Sequence, residues 1–170
     1  MKLSLEVSSL GKYINTLLSA YLPDGLTTCV DLKSIDHALQ RLEFSHSHIN
    51  KKYYQINKIP VFNHLNADHF ASYLWFLANT VFKNAGDELL PTKLSYLNKI
   101  MHGLDLFYSV EMPDIFMLVH PVGSIIGHAN FGNYLMVYQN CSVGATDTNY
   151  PTLGEGVVLY SKSSVLGSSI

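Results

Sequence analysis

Up to about residue 104 the apolar positions follow a helical spacing. Ile14, Leu17, Leu18 and Tyr21 fall on one face before Pro23-Asp24-Gly25 stops the pattern. Ser34 stands where it can cap a second helix carrying Ile35, Leu39 and Leu42. After Asn66, the stripe Phe70, Tyr73, Leu74, Leu77 and Val81 predicts the clearest helix, and Gly86 sits where a C′ glycine belongs. A further helix near 91–102 carries Leu94, Leu97 and Met101 on one face, with Pro91 in its first turn. Segment 45–65 has no sustained period and reads as loops.

After residue 104 the interval becomes six. Ile125, Phe131, Val137 and Val143 keep it, and so do Leu153, Leu159 and Val165. Upstream, Val119 and Phe107 hold the same phase, with Pro113 in the slot between them. From Val143 to Leu153 the gap is ten, one period plus four residues. Six matches neither a helix nor a simple strand. It is the period of a parallel β-helix built from hexapeptides, in which one residue in six points into a narrow prism. Small residues, Ala129, Cys141, Ser163 and Ser169, each fall four after an inward position. The excess at 145–151 predicts a loop thrown out of the coil, a place where solenoids commonly carry function. Ordinary antiparallel strands with glycine turns account less well for two phased runs. The fold class expected is α+β: an α-helical region, 1–104, followed by a hexapeptide β-helix, 105–170. The last residues, VLGSSI, stop in mid-period without a capping helix, so a short or truncated coil is expected.

The chain has 170 residues, 48% hydrophobic and 14% charged, with a formal net charge of −2, and this is the composition of a globular protein. No concentrated Lys/Arg face is visible, so nucleic acid is not the expected partner. The longest apolar stretch, ASYLWFLANTVF, is too short for a bilayer span of roughly 20 residues. The N-terminus has no long uncharged run with a small-residue cleavage site. Cys29 and Cys141 lie far apart, as in a reducing compartment. These features together predict a cytoplasmic protein with no membrane partner.

The segments LVHPVGSIIGHAN (118–130), MVYQNCSVGA (136–145) and YPTLGEGVVLYSKSSVLG (150–167) resemble the serine O-acetyltransferase family of hexapeptide acyltransferases. The resemblance implies a left-handed β-helix and acetyl transfer from acetyl-CoA, a co-substrate, to a hydroxyl, with no metal. It places the family's catalytic histidine on His120 and its aspartate partner, fifteen residues earlier, on Asp105. It also implies that Gly144, Ala145, Tyr160 and Ser161 lie along the CoA arm. The expected assembly is a homotrimer or a dimer of trimers with sites between subunits. Three positions depart from the family. Its aspartate before the histidine is Val119 here, and the arginine and histidine that meet the substrate carboxylate are Asn149 and Tyr150. The resemblance therefore leaves the acceptor open between serine and a sugar or other alcohol.

Such a transfer needs the acceptor proton removed as the oxygen attacks, work suited to a histidine titrating near neutrality. A carboxylate on the other ring nitrogen would fix the tautomer and stabilise the imidazolium. Backbone N–H groups near Gly144 and Ala145 are the candidate oxyanion donors. Two other classes stand against this reading. A metal-dependent hydratase would need three imidazoles on one ion, and the coil offers only His120 and His128. A shortened solenoid could also act as a non-catalytic assembly partner.

Overall fold

The computed structural model describes residues 1–86 and 88–170. The first part holds β1 (Lys2–Leu3), α1 (Val7–Tyr21), α2 (Leu32–Ser47), β2 (Gln55–Ile56), β3 (Ile59–Phe62), α3 (Ala67–Ala85) and α4 (Leu89–His102). The stripe expected after Asn66 is buried, and Asn66 caps α3 by accepting from the backbone N–H of Asp68 and His69. Gly86 closes the helix in the left-handed conformation. At α2 the cap is Asp31, not Ser34. The Asp31 carboxylate accepts from the Ser34 backbone N–H at 2.9 Å and from its hydroxyl at 2.7 Å, so Ser34 is the partner of the cap.

Segment 45–65 is more ordered than its lack of period predicts. Strands β2 and β3 form an antiparallel hairpin around Asn57 and Lys58, both at positive φ, and β3 also pairs with β1 in parallel. Each strand is too short to show an alternation. The two left-handed turn residues are the local determinant.

The second part consists of β4 (Asp105–Leu106), β5 (Phe116–Leu118), β6 (Ile125–Ile126), β7 (Asn130–Phe131), β8 (Leu135–Val137), β9 (Ser142–Gly144), β10 (Thr152–Leu153), β11 (Val158–Leu159) and β12 (Ser164–Leu166). Every pairing among them is parallel. They form three sheets, β10-β7, β11-β8-β5 and β12-β9-β6-β4, and from β5 onward the chain visits these in rotation. The result is a three-faced coil. Asn130 pairs with Thr152, Met136 with Val158 and Ser142 with Ser164, each a step of 22 residues. That step is three hexapeptides plus the four residues inserted at 145–151.

The phase of the inward positions needs one correction. Val137, Val143, Leu153 and Leu159 are buried as expected, but Ile125 and Phe107 are exposed and Val119 only half-buried. Their buried neighbours Ile126, Leu106 and Leu118 take the inward place, with Met112 completing the six-residue series from Leu106 to Leu118. The slip arises at the corner 119–124. There His120 and Gly123 both adopt positive φ, and the coil from Leu118 to its register partner Val137 takes 19 residues, one more than three hexapeptides. Gly132 is needed for a different reason. A Cβ there would stand 2.5 Å from the Glu155 backbone nitrogen of the next coil.

One hydrophobic core runs from α1 to the coil. Its hinge is Phe116 of β5, whose ring meets Trp75 edge-on at 5.4 Å and stacks on Phe76 at 5.2 Å. Among the described residues no helix is long and apolar enough to cross a membrane.

Candidate active site

His120 stands at the corner between the sheet of β5 and the sheet of β6, with φ of 48° and a ring 78% exposed. A non-glycine residue in that conformation is held by its surroundings. Here the holder is Asp68, in the first turn of α3. Its Oδ1 accepts the His120 backbone N–H at 2.9 Å and lies 3.8 Å from the ring Nδ1. The second distance is too long for a hydrogen bond, yet it places a carboxylate on the Nδ1 side of the ring and leaves Nε2 away from it. Burial raises the Asp68 pKa, and the His120 backbone N–H and ring pull it part of the way back.

The floor of this corner is aromatic. Tyr54 donates its hydroxyl to the Leu118 carbonyl at 3.2 Å, and its ring lies 4.6 Å from His69 and 4.8 Å from His46. Burial lowers the pKa of His46 to about 3 and that of His69 to about 4, so both imidazoles are neutral. His46 Nδ1 donates to the Val61 carbonyl at 2.9 Å, and His69 Nδ1 accepts from the Asn63 N–H at 3.3 Å.

The residues expected to share a site fall on two edges of the prism. Leu118, Val137 and Leu159 are in register, so the next residues, Val119, Tyr138 and Tyr160, occupy equivalent places in three successive coils. Tyr138 and Tyr160 stack at 5.5 Å. His120 and Ser161 follow on that same edge. Gly144 and Ala145 lie on the next edge, where the chain leaves β9. Asn149 and Tyr150 belong to the exposed loop 145–151, closed by reciprocal backbone bonds between Thr146 and Asn149. Asp105, in β4, pairs with Lys99 at 2.6 Å and faces a cleft of roughly 250 Å³ lined by Thr92, Ser95, Tyr96, Lys99 and Phe107. Among the described residues, the carboxylate recorded against His120 is Asp68 and not Asp105. Asp68 escaped the sequence reading because an acidic residue two after a helix cap has a sufficient local explanation in the helix dipole.

Cys141 is fully buried, as its small-residue position implies, and its thiol donates to the Tyr160 carbonyl at 3.1 Å.

No family model matches the chain. Two serine acetyltransferases are similar in sequence. The one from Synechocystis sp. is 30% identical over 49% of this chain and 35% of its own length. The one from Synechococcus elongatus is 28% identical over 47% of this chain and 35% of its own. The matched stretch therefore spans about a third of these relatives. Among solved structures, a serine acetyltransferase in complex with CoA superposes with a TM-score of 0.65 at 16% identity, covering 94% of this chain and 70% of that one. The Neisseria gonorrhoeae serine acetyltransferase in complex with serine gives 0.64 at 16% identity, over 91% and 68%. The chain thus has the fold of the serine acetyltransferases along nearly its whole length, and is similar to two of them in sequence over about half of it.

Proposed function

We propose that this chain is an acetyl-CoA-dependent O-acetyltransferase whose coil is a left-handed β-helix, spanning 105–170 and carried by a helical region, 1–104. The observation that carries the reading is His120 itself: an exposed imidazole fixed at a coil corner, with a carboxylate on its Nδ1 side and Nε2 open. In the reaction Nε2 accepts the proton of an acceptor hydroxyl as that oxygen forms its bond to the thioester carbonyl carbon. The tetrahedral intermediate collapses with loss of the CoA thiolate, which takes the proton back from Nε2. The products are an acetyl ester and free CoA. Asp68 supports the imidazolium electrostatically, and the backbone N–H groups of Gly144 and Ala145 are assigned to the oxyanion.

The split of these residues between two edges favours a homotrimer. In it the His120 edge of one subunit, with Tyr160 and Ser161, faces the Gly144 edge and loop of its neighbour, with Asn149 and Tyr150. Asp105, held by Lys99, then anchors the strand beneath the corner. The acceptor is a small alcohol. With Val119, Asn149 and Tyr150 in place of charged or imidazole groups, a sugar or other uncharged alcohol competes with serine for the assignment. The protein acts in the cytoplasm and uses no metal.

The test is release of free CoA thiol from acetyl-CoA with serine and a panel of sugars and alcohols, for wild type and His120→Asn. Asparagine tolerates the left-handed backbone, so the corner is preserved. Acceptor-dependent release that falls by roughly 10²–10⁴-fold in the variant supports the base. A folded wild type silent with every acceptor overturns the reading in favour of a non-catalytic assembly role.

A further inference from the structure

A second cleft, of about 380 Å³, opens between α2 and the turn before β5, and none of its lining belongs to the candidate active site. Three residues of α2, Gln40, Arg41 and Phe44, form one wall, with His37 one turn before, and Phe76 of α3 and Asp114 complete it. The guanidinium of Arg41 is fixed from behind. Its Nη1 donates to the Thr80 hydroxyl at 2.8 Å, and its Cζ lies 5.1 Å from the Phe76 ring centre and 5.6 Å from that of Trp75. Burial weakens the hold of Arg41 on its proton, and the more distant Asp114 and Glu111 restore part of it.

The arrangement leaves two opposite charges unjoined. Among the described residues no carboxylate comes within 4.0 Å of the Arg41 guanidinium, and Nε and Nη2 have no hydrogen-bond partner. Glu111 is engaged by Lys83 at 2.9 Å. Asp114 is exposed, lines the same cleft and makes no ion pair or hydrogen bond. An arginine needed only for packing would be expected to close onto the nearest carboxylate, because a half-buried guanidinium without one forfeits its strongest hydrogen bonds. A positive fork and a negative oxygen kept apart over an aromatic floor are complementary to a small molecule carrying both charges.

We infer that this cleft binds a free α-amino acid with an apolar side chain. The ligand carboxylate lies on Nε and Nη2 of Arg41, its ammonium faces Asp114, and its side chain rests on the half-exposed ring of Phe44. Gln40 is held away from the ligand by its bond to Asp36 at 2.7 Å. The site is independent of the proposed transferase chemistry.

The probe is L-leucine at millimolar concentration, followed by calorimetry and by amide shifts in NMR spectra of the full chain. Saturable binding is expected, with shifts confined to residues of α2, α3 and the 111–114 turn. N-acetyl-L-leucine, lacking the ammonium, and 3-methylbutylamine, lacking the carboxylate, are each expected to bind at least about tenfold more weakly. Asp114→Asn and Arg41→Gln should each produce a similar loss. Asp114→Asn changes an exposed side chain and keeps the fold, so it decides the matter if Arg41→Gln lowers stability. Absence of saturable leucine binding, equal binding of N-acetyl-leucine, or binding unchanged in Asp114→Asn overturns the inference.

Discussion

Position 120 shows what one residue demands of its neighbours. A histidine at φ 48° is unfavourable alone, and a carboxylate 52 positions earlier in the chain supplies the compensating bond. That acceptor survives in Asp68→Asn, which keeps Oδ1 but removes the negative charge beside the ring. We expect Asp68→Asn to leave the thermal midpoint nearly unchanged and to lower CoA release less than His120→Asn does. An unaltered rate would confine Asp68 to a structural role. His120 was legible because it sits in a recognisable run, VHPVGS. Asp68 was not, because a contact between residues so distant leaves no local pattern. The Asp31 cap was likewise hidden, since Asp31 and Ser34 are both good capping types and only the backbone distinguishes them.

At the scale of elements, a period of six was enough to locate the coil and its inserted loop, while the buried posts keep the expected phase from Val137 through Leu159. One extra residue in the coil between Leu118 and Val137 moves the buried post from Val119 to Leu118, and after the corner Ile126 turns inward in place of Ile125. Two adjacent aliphatics in sequence give no sign of which one turns inward. Close stacking of coils also makes a sharp prediction at Gly132. There Gly132→Ala forces backbone of the next coil aside and should destabilise the protein by about 1–3 kcal/mol, read as a lower urea midpoint. A midpoint equal to wild type would mean that the coils can separate freely at that corner. The Asp31→Ala change at α2 should cost about 1 kcal/mol in the same measurement, the ordinary value of a lost cap.

Over the whole molecule, helices and coil share one core, so they should melt together. Phe116→Ala removes the ring that joins α3 to β5 and should cost about 3–5 kcal/mol. Helical circular dichroism and Trp75 fluorescence should still fall in a single transition, whereas two separate transitions would show that the parts fold independently. Acid should loosen this core. His46, His69 and His102 are buried and neutral, with pKa values lowered to about 3, 4 and 4. The unfolded chain therefore binds protons that the native state refuses. Their contribution to stability is complete above the unfolded value near 6.5 and is lost as pH falls toward 4, by up to about 1.4 kcal/mol per pH unit for each group. The raised pKa of Asp68 acts in the opposite sense but is a single group. A stability curve flat from pH 7 to 5 would contradict this. The loop at 145–151 carries a consequence of another kind. Strands on both sides of it keep their register with their neighbours, Val143 against Val165 and Leu153 against Phe131, so the coil closes without reference to what hangs from that corner. Loop and scaffold are thereby separable heritable units. The one can lengthen at a cost of only about 0.6 kcal/mol per doubling while the other is preserved, leaving this corner free to vary from relative to relative without refolding the rest.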